Sequence, residues 1–80
     1  MPKGVAKSKA MSSVDRALSL LQYFSQETPE IGLSALARLA GVDKTTTLRC
    51  LNALENNGFV EQHLETRKYR LGIAPLHLAR

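Results

Sequence analysis

The chain has 80 residues, a formal net charge of +4 and 44% hydrophobic residues, which bounds it to one small domain around one core. A single cysteine excludes an internal disulfide framework and a cysteine-based zinc finger, and points to a cytoplasmic setting. No apolar run approaches the roughly 20 residues that span a membrane, and the N-terminus lacks the apolar segment of a signal peptide.

Charge is unevenly placed. Lys3, Lys7 and Lys9 fall in the first eleven residues with no acid beside them. Beyond them the remaining cations nearly cancel the seven acidic residues, so bulk charge alone does not argue for nucleic acid. Recognition of DNA then depends on where individual cations are held. Residues 1–11 read as a disordered basic leader, with an arm that touches phosphates as the alternative.

Ser12 and Ser13 are helix-cap residues. A helical segment follows from Val14 to Gln26, with Val14, Ala17, Leu18, Leu21 and Phe24 expected on the core face. Leu20, Tyr23 and Arg16 fall off that stripe, which leaves Leu20 and Tyr23 as core edge or as a dimer contact. Thr28-Pro29-Glu30 breaks the helix, and Ile31 to Leu33 reads as extended, a very short strand at most.

Ser34 to Asn57 carries the strongest signal: a short helix, a turn and a longer helix. Ser34 is the expected cap of the first helix, and Leu36, Ala37 and Ala40 form its apolar stripe. The two small alanines let a second helix cross closely. Gly41 stands where a helix ends in the left-handed region. Asp43 suits the positive N-terminus of the next helix as its cap. Thr47, Cys50, Leu51 and Leu54 recur at helical spacing and face inward, and Asn56-Asn57-Gly58 ends the helix. The opposite face carries Lys44, Thr45, Leu48, Arg49 and Asn52. This is the helix-turn-helix pattern, whose second helix enters a DNA major groove.

Phe59 to Leu71 reads as a hairpin directly after that helix, a wing. Phe59 and Val60 open its first strand and Glu65-Thr66-Arg67 makes its turn. In the second strand Tyr69 and Leu71 are expected on the core while Lys68 and Arg70 point to solvent. Gly72 ends the wing, and residues 73–80 start a further helix. The fold class is therefore mostly α with a small β-hairpin: a winged helix-turn-helix with a three-helix core over residues 12–72.

Residue types assign the contacts. Arg49 can grip guanine O6 and N7, or a phosphate, with two hydrogen bonds. Lys44 suits a phosphate, and Thr45 and Thr46 suit a phosphate or a thymine methyl. Leu48 is an apolar residue on an exposed face, fit for a thymine methyl or for packing against the wing. Arg67, Lys68 and Arg70 are wing cations within reach of phosphates or the minor groove. Catalysis has no comparable support. Cys50 lies on an inward stripe, His63 and His77 have no carboxylate at useful spacing, and no metal cluster or glycine-rich phosphate loop is present, so no enzyme and no cofactor is expected.

The segments SSVDRALSLLQYF, GLSALARLAGV, KTTTLRCL, LENNGFV and KYRLG together resemble the DNA-binding domain of the IclR (isocitrate lyase regulator) family of bacterial transcription factors. The resemblance covers about Ser12 to Arg80. It implies a homodimer on a palindromic operator of double-stranded DNA, with the second motif helix in the major groove and the wing beside it. Lys44, Thr45, Thr46 and Arg49 match the family's DNA-facing positions, and Arg70 matches the arginine of its Tyr-Arg-Leu-Gly. Asp43 stands where many members carry proline. The resemblance also implies that residues 73–80 begin a linker helix to an effector-binding domain this sequence does not contain, making the chain a DNA-binding portion. The competing function is a winged helix used for protein contact or dimerisation without specific DNA binding.

Overall fold

The computed structural model describes residues 12–72. The leader expected at residues 1–11 and the helix expected from 73 lie outside the described residues. In chain order the elements are helix α1 (Ser13–Ser19), a 3₁₀ turn (Leu20–Tyr23), strand β1 (Glu30–Ile31), helix α2 (Leu33–Ala40), helix α3 (Lys44–Asn56), and strands β2 (Val60–Gln62) and β3 (Tyr69–Leu71). The sheet is antiparallel in the order β1-β3-β2, so the wing hairpin gains a third strand from the segment before α2. Ile31 pairs with Tyr69, and Val60 with Leu71.

The first helix differs from its expected form in register and in length. Ser12 caps α1 by accepting the Asp15 N–H at 3.0 Å. The Ser19 hydroxyl donates to the Arg16 carbonyl at 2.8 Å, and the helix then tightens into the 3₁₀ turn. Phe24 is already extended, well before Pro29. The inward row is Ala17, Leu20 and Phe24, with Leu21 and Tyr23 packed against it. Leu20 is 1% exposed, so of its two readings, core edge or dimer contact, it belongs to the core and is not open to a dimer contact. Val14 and Leu18, expected inside, are 66% and 46% exposed. The physical reason is that this leucine-rich helix satisfies the i, i+3, i+4, i+7 pattern in two registers, starting at Val14 or at Ala17. Packing selects the second.

The helix-turn-helix is α2, the turn and α3. Helix α2 begins two residues earlier than expected. Gly32 is its N-cap, with no side-chain cap bond, and Ser34 lies inside its first turn. At its end Gly41 adopts φ 70°. The Val42 N–H donates to the Ala37 carbonyl at 3.1 Å and the Gly41 N–H to Arg38 at 3.3 Å, the Schellman closure that fixes where the chain turns. Asp43 then caps α3: its carboxylate accepts the Thr46 N–H at 3.0 Å. That bond, with Arg49 as a weaker contributor, holds the Asp43 carboxyl below its ordinary value.

Thr47, Cys50, Leu51 and Leu54 are buried as their spacing requires. Cys50, Leu51 and Leu54 meet Leu20, Leu36, Ile31, Val60 and Tyr69 in one core cluster. At the end of α3, Gly58 and Phe59 close a second Schellman turn on Glu55 and Leu54. The Gly72 N–H donates to the Phe59 carbonyl at 2.7 Å. A Cβ at Gly72 would collide with the Gly58 carbonyl, so the wing can close on the helix end only through glycine. Leu71, expected on the core, is 46% exposed, because it ends β3 at the margin of the sheet, past the core that Tyr69 enters.

The register of α1 predicts opposite outcomes for neighbouring leucines. Leu20→Ala should lower the urea unfolding free energy by about 2–5 kcal/mol, whereas Leu18→Ala should cost under about 1 kcal/mol. Asp43 predicts a pH effect. Its depressed pKa contributes stability above the ordinary carboxylate range, which is lost as pH falls through the folded value. Thermal melts should therefore show Asp43→Ala less stable than wild type at pH 7, with the difference closing in acid. Asp43→Asn, which still caps, should stay near wild type at pH 7.

Candidate nucleic-acid interface

Helix α3 presents Lys44, Thr45, Leu48, Arg49 and Asn52 on its exposed face. Nothing about these residues directs them outward. The inner row of α3 does so, since a helix that buries Thr47, Cys50, Leu51 and Leu54 leaves the other side to solvent. Thr46 sits at the border and is half-buried.

Concavities flank the exposed face of this helix on several sides. On the wing side, an open groove of about 640 Å³ is lined by Leu48 and Asn52 of α3, Gly32 to Ala35 at the start of α2, and Gln62 with Thr66 to Tyr69 of the wing. It brings the expected site residues Leu48, Arg67 and Lys68 together. At the turn, Lys44 shares a shallow depression with Arg38, Gly41 and Asp43. Toward α1, Thr46 and Arg49 line a cleft of about 230 Å³ with Ser13 and Arg16. The outer face of α3 is thus ringed by cations from α1, α2 and the wing.

Arg70 is placed apart from that ring. Its Nε and Nη2 donate to Glu61 Oε1 at 3.3 and 3.1 Å, and both residues are about half exposed. Register puts Glu61, Arg70 and Glu30 side by side across the three strands. Facing residues in a sheet share a face, and Arg70 points opposite to the buried Tyr69. Arg70 therefore stands between two carboxylates on the outer face of the sheet.

The wing tip is tightly wired. Arg67 takes φ 65°, a left-handed conformation without glycine. Its N–H donates to the His63 carbonyl at 2.8 Å, and the His63 N–H to the Lys68 carbonyl at 2.8 Å. Gln62 Nε2 donates to the Arg67 carbonyl at 3.0 Å, and the Lys68 N–H to Thr66 Oγ1 at 3.2 Å. His63 Nδ1 accepts the N–H groups of Glu65 at 3.1 Å and Thr66 at 3.3 Å.

Several residues at this face carried no distinct sequence signal. Arg16 and Asn52 were visible only as residues off an apolar stripe, and Ser34 only as a cap. Gln62 and Thr66 enter the groove through the wing's closure, which no local spacing encodes. Among the described residues, no group of His, Cys, Asp or Glu is placed to hold a metal ion, and no helix is long and apolar enough to cross a membrane.

Comparison with known proteins agrees with this geometry. Residues 13–64 match the model of the IclR helix-turn-helix domain. The chain is 35% identical over 63 residues to the HTH-type transcriptional regulator XynR of Escherichia coli, covering 79% of this chain and 25% of that protein. It is 32% identical over 62 residues to the transcriptional repressor IclR of Escherichia coli, covering 78% of this chain and 23% of that protein. The chain thus spans about a quarter of the length of these relatives. Among solved structures, an IclR transcriptional regulator from Silicibacter sp. TM1040 superposes with a TM-score of 0.81 at 49% identity, over 86% of this chain and 26% of that one. An IclR family regulator from Brucella abortus gives 0.80 at 25% identity, over 98% of this chain and 31% of that one. With a winged helix-turn-helix in place and the family's model matching most of the chain, the protein belongs to the IclR family, as a DNA-binding helix-turn-helix domain of its transcriptional regulators.

Proposed function

We propose that this domain reads a palindromic operator as one half of a homodimer, with α3 in the major groove and the wing beside it on the backbone or in the minor groove. The observation that supports this most is the outer face of α3, where Lys44, Thr45 and Arg49 stand exposed between the cationic flanks of α1, α2 and the wing. Arg49 reads a base or grips a phosphate through its fork. Lys44, Thr45 and Thr46 fix the start of α3 against the backbone. Leu48 meets a thymine methyl at the mouth of the wing-side groove. Arg67 and Lys68 carry the wing contact, while Arg70, tied to Glu61, holds the strands that present them.

Two copies would set their α3 helices about 34–36 Å apart, one turn of DNA, or a multiple of it. Val14 and Leu18 are the exposed apolar residues of α1, beside an apolar cleft lined by Ala53, Leu54 and Phe59. They take the place of Leu20 and Tyr23 as the surface through which copies pair, since both of those pack on the core. The setting is cytoplasmic, on nucleoid DNA. Effector sensing belongs to a further C-terminal domain, in keeping with relatives about three times as long as this chain.

Fluorescence anisotropy with a duplex tests this reading. Affinity should fall steeply as salt rises, because phosphate contacts release counterions. Arg49→Ala should cost about 1–3 kcal/mol and relax the preference at one base position. Lys68→Ala should weaken binding evenly across sequences and lower the salt slope by about one unit. A folded chain with no affinity for DNA at low salt would instead make this face a protein-contact surface.

A further inference from the structure

Arg67 holds a left-handed backbone that a residue with a Cβ keeps only where its surroundings over-determine it. Those surroundings converge on His63. Its carbonyl accepts the Arg67 N–H, its N–H donates to the Lys68 carbonyl, and its ring Nδ1 accepts the N–H groups of Glu65 and Thr66. The last two bonds require a lone pair on Nδ1, and so a neutral ring with its proton on Nε2. Arg67 and Lys68, the residues on the far side of this turn, line the groove beside Leu48 and Asn52.

We propose that His63 is a positioning residue of the DNA interface: its neutral imidazole caps the wing turn and holds Arg67 and Lys68 at the groove beside α3, and a second proton on the ring releases them. This rests on the wing being a DNA contact. Imidazole is the side chain that gains and loses a proton most readily among those that can accept two N–H groups in this way. Protonation converts Nδ1 from acceptor to donor and sets it against two N–H groups that already point at it. The Glu65 and Thr66 N–H groups then lose their acceptor, and the left-handed Arg67 is held by the backbone bonds to His63 and the Gln62 contact alone.

Charges of both signs lie on the segments next to His63. Glu65, Arg67 and Lys68 belong to its own loop and Glu61 to β2. From β3, Arg70 faces Glu61, while Tyr69 is buried in the core; from β1, Glu30 stands opposite Arg70. From α2 and α3, the residues lining the groove are uncharged: Leu33, Ser34, Ala35, Leu48 and Asn52. An added proton has two opposed effects on DNA binding. As a bare cation it strengthens attraction to phosphates; as the loss of a cap it removes placed cations. The two differ in sign, which makes them separable.

The test uses the full 80-residue chain and a mixed-sequence duplex, comparing wild type, His63→Asn and His63→Ala at pH 8 and pH 5.5 over a salt series. Asparagine keeps an oxygen that can accept from N–H groups two and three residues on, and does not titrate. Wild type should bind about tenfold more weakly at pH 5.5, with a salt slope smaller by about one unit, as for one lost phosphate contact. His63→Asn should lose most of the pH dependence that wild type shows. His63→Ala should behave at pH 8 as wild type does at pH 5.5. In the free protein, the Glu65 and Thr66 amide resonances should move with the titration of the His63 ring while those of Leu36 and Leu51 stay fixed.

Amides that do not follow the ring would overturn the cap itself. Amides that follow, with affinity unchanged or increased in acid, would overturn the positioning role. Amides that follow with no DNA binding by any variant at pH 8 would overturn the wing-contact reading and this proposal with it, leaving the cap as local structure.

Discussion

The rotation of α3 about its own axis is the constraint on which the rest depends. Thr47 is 0% exposed, yet it carries a hydroxyl, and that hydroxyl donates to the Asp43 carbonyl at 2.9 Å. A buried polar group left without a partner is costly, and here the partner lies one turn back on the same helix. Thr47 can therefore enter the core without stranding its hydroxyl, which lets the row Thr47, Cys50, Leu51 and Leu54 turn inward together. Asp43 fixes where the helix starts, since its side chain caps Thr46 while its backbone receives both the N–H and the hydroxyl of Thr47. Once that rotation is set, Thr45, Leu48, Arg49 and Asn52 have no other direction but outward.

The wing depends on the same seat. Tyr69 and Val60 close over α3 from the sheet, and Gly72 meets the chain again at the end of that helix. The sheet in turn uses its charges locally. The Glu61–Arg70–Glu30 row spends an arginine on neighbouring strands, where an exposed pair contributes at most about 1 kcal/mol and mainly fixes register. The described segment is thus close to neutral in sum but not in placement. Its cations unpaired by the sheet gather around α3, and a domain of modest charge acquires one cationic face.

Much of this was legible in the sequence, for a physical reason. Where a helix offers a single apolar register and flanking residues with one role, spacing decides the outcome. That holds for α3, where Asp43, the inward row from Thr47 to Leu54 and the glycine-closed ends all stand as their residue types require. It fails in α1, where leucines and small residues fill two registers equally and only the packed core distinguishes them. Ser34 misled because a glycine two residues earlier serves as the cap without any side chain. The groove between α3 and the wing was not legible, because Gln62, Thr66 and Arg67 reach it through a hairpin whose closure depends on contacts between distant residues. Nor was the pairing of Arg70, since a cation reads the same in sequence whether it meets a phosphate or a carboxylate across a strand.

The central claim is that one face, made by the outer side of α3 and the wing tip, meets DNA. Amide and side-chain NMR shifts of the chain titrated with a DNA duplex test it most directly. The largest changes should cluster at Lys44 to Asn52 on the exposed side of α3 and at Thr66 to Lys68, with the Glu61–Arg70–Glu30 row nearly silent. Changes centred on that row, or on Val14 and Leu18 with α3 silent, would contradict it.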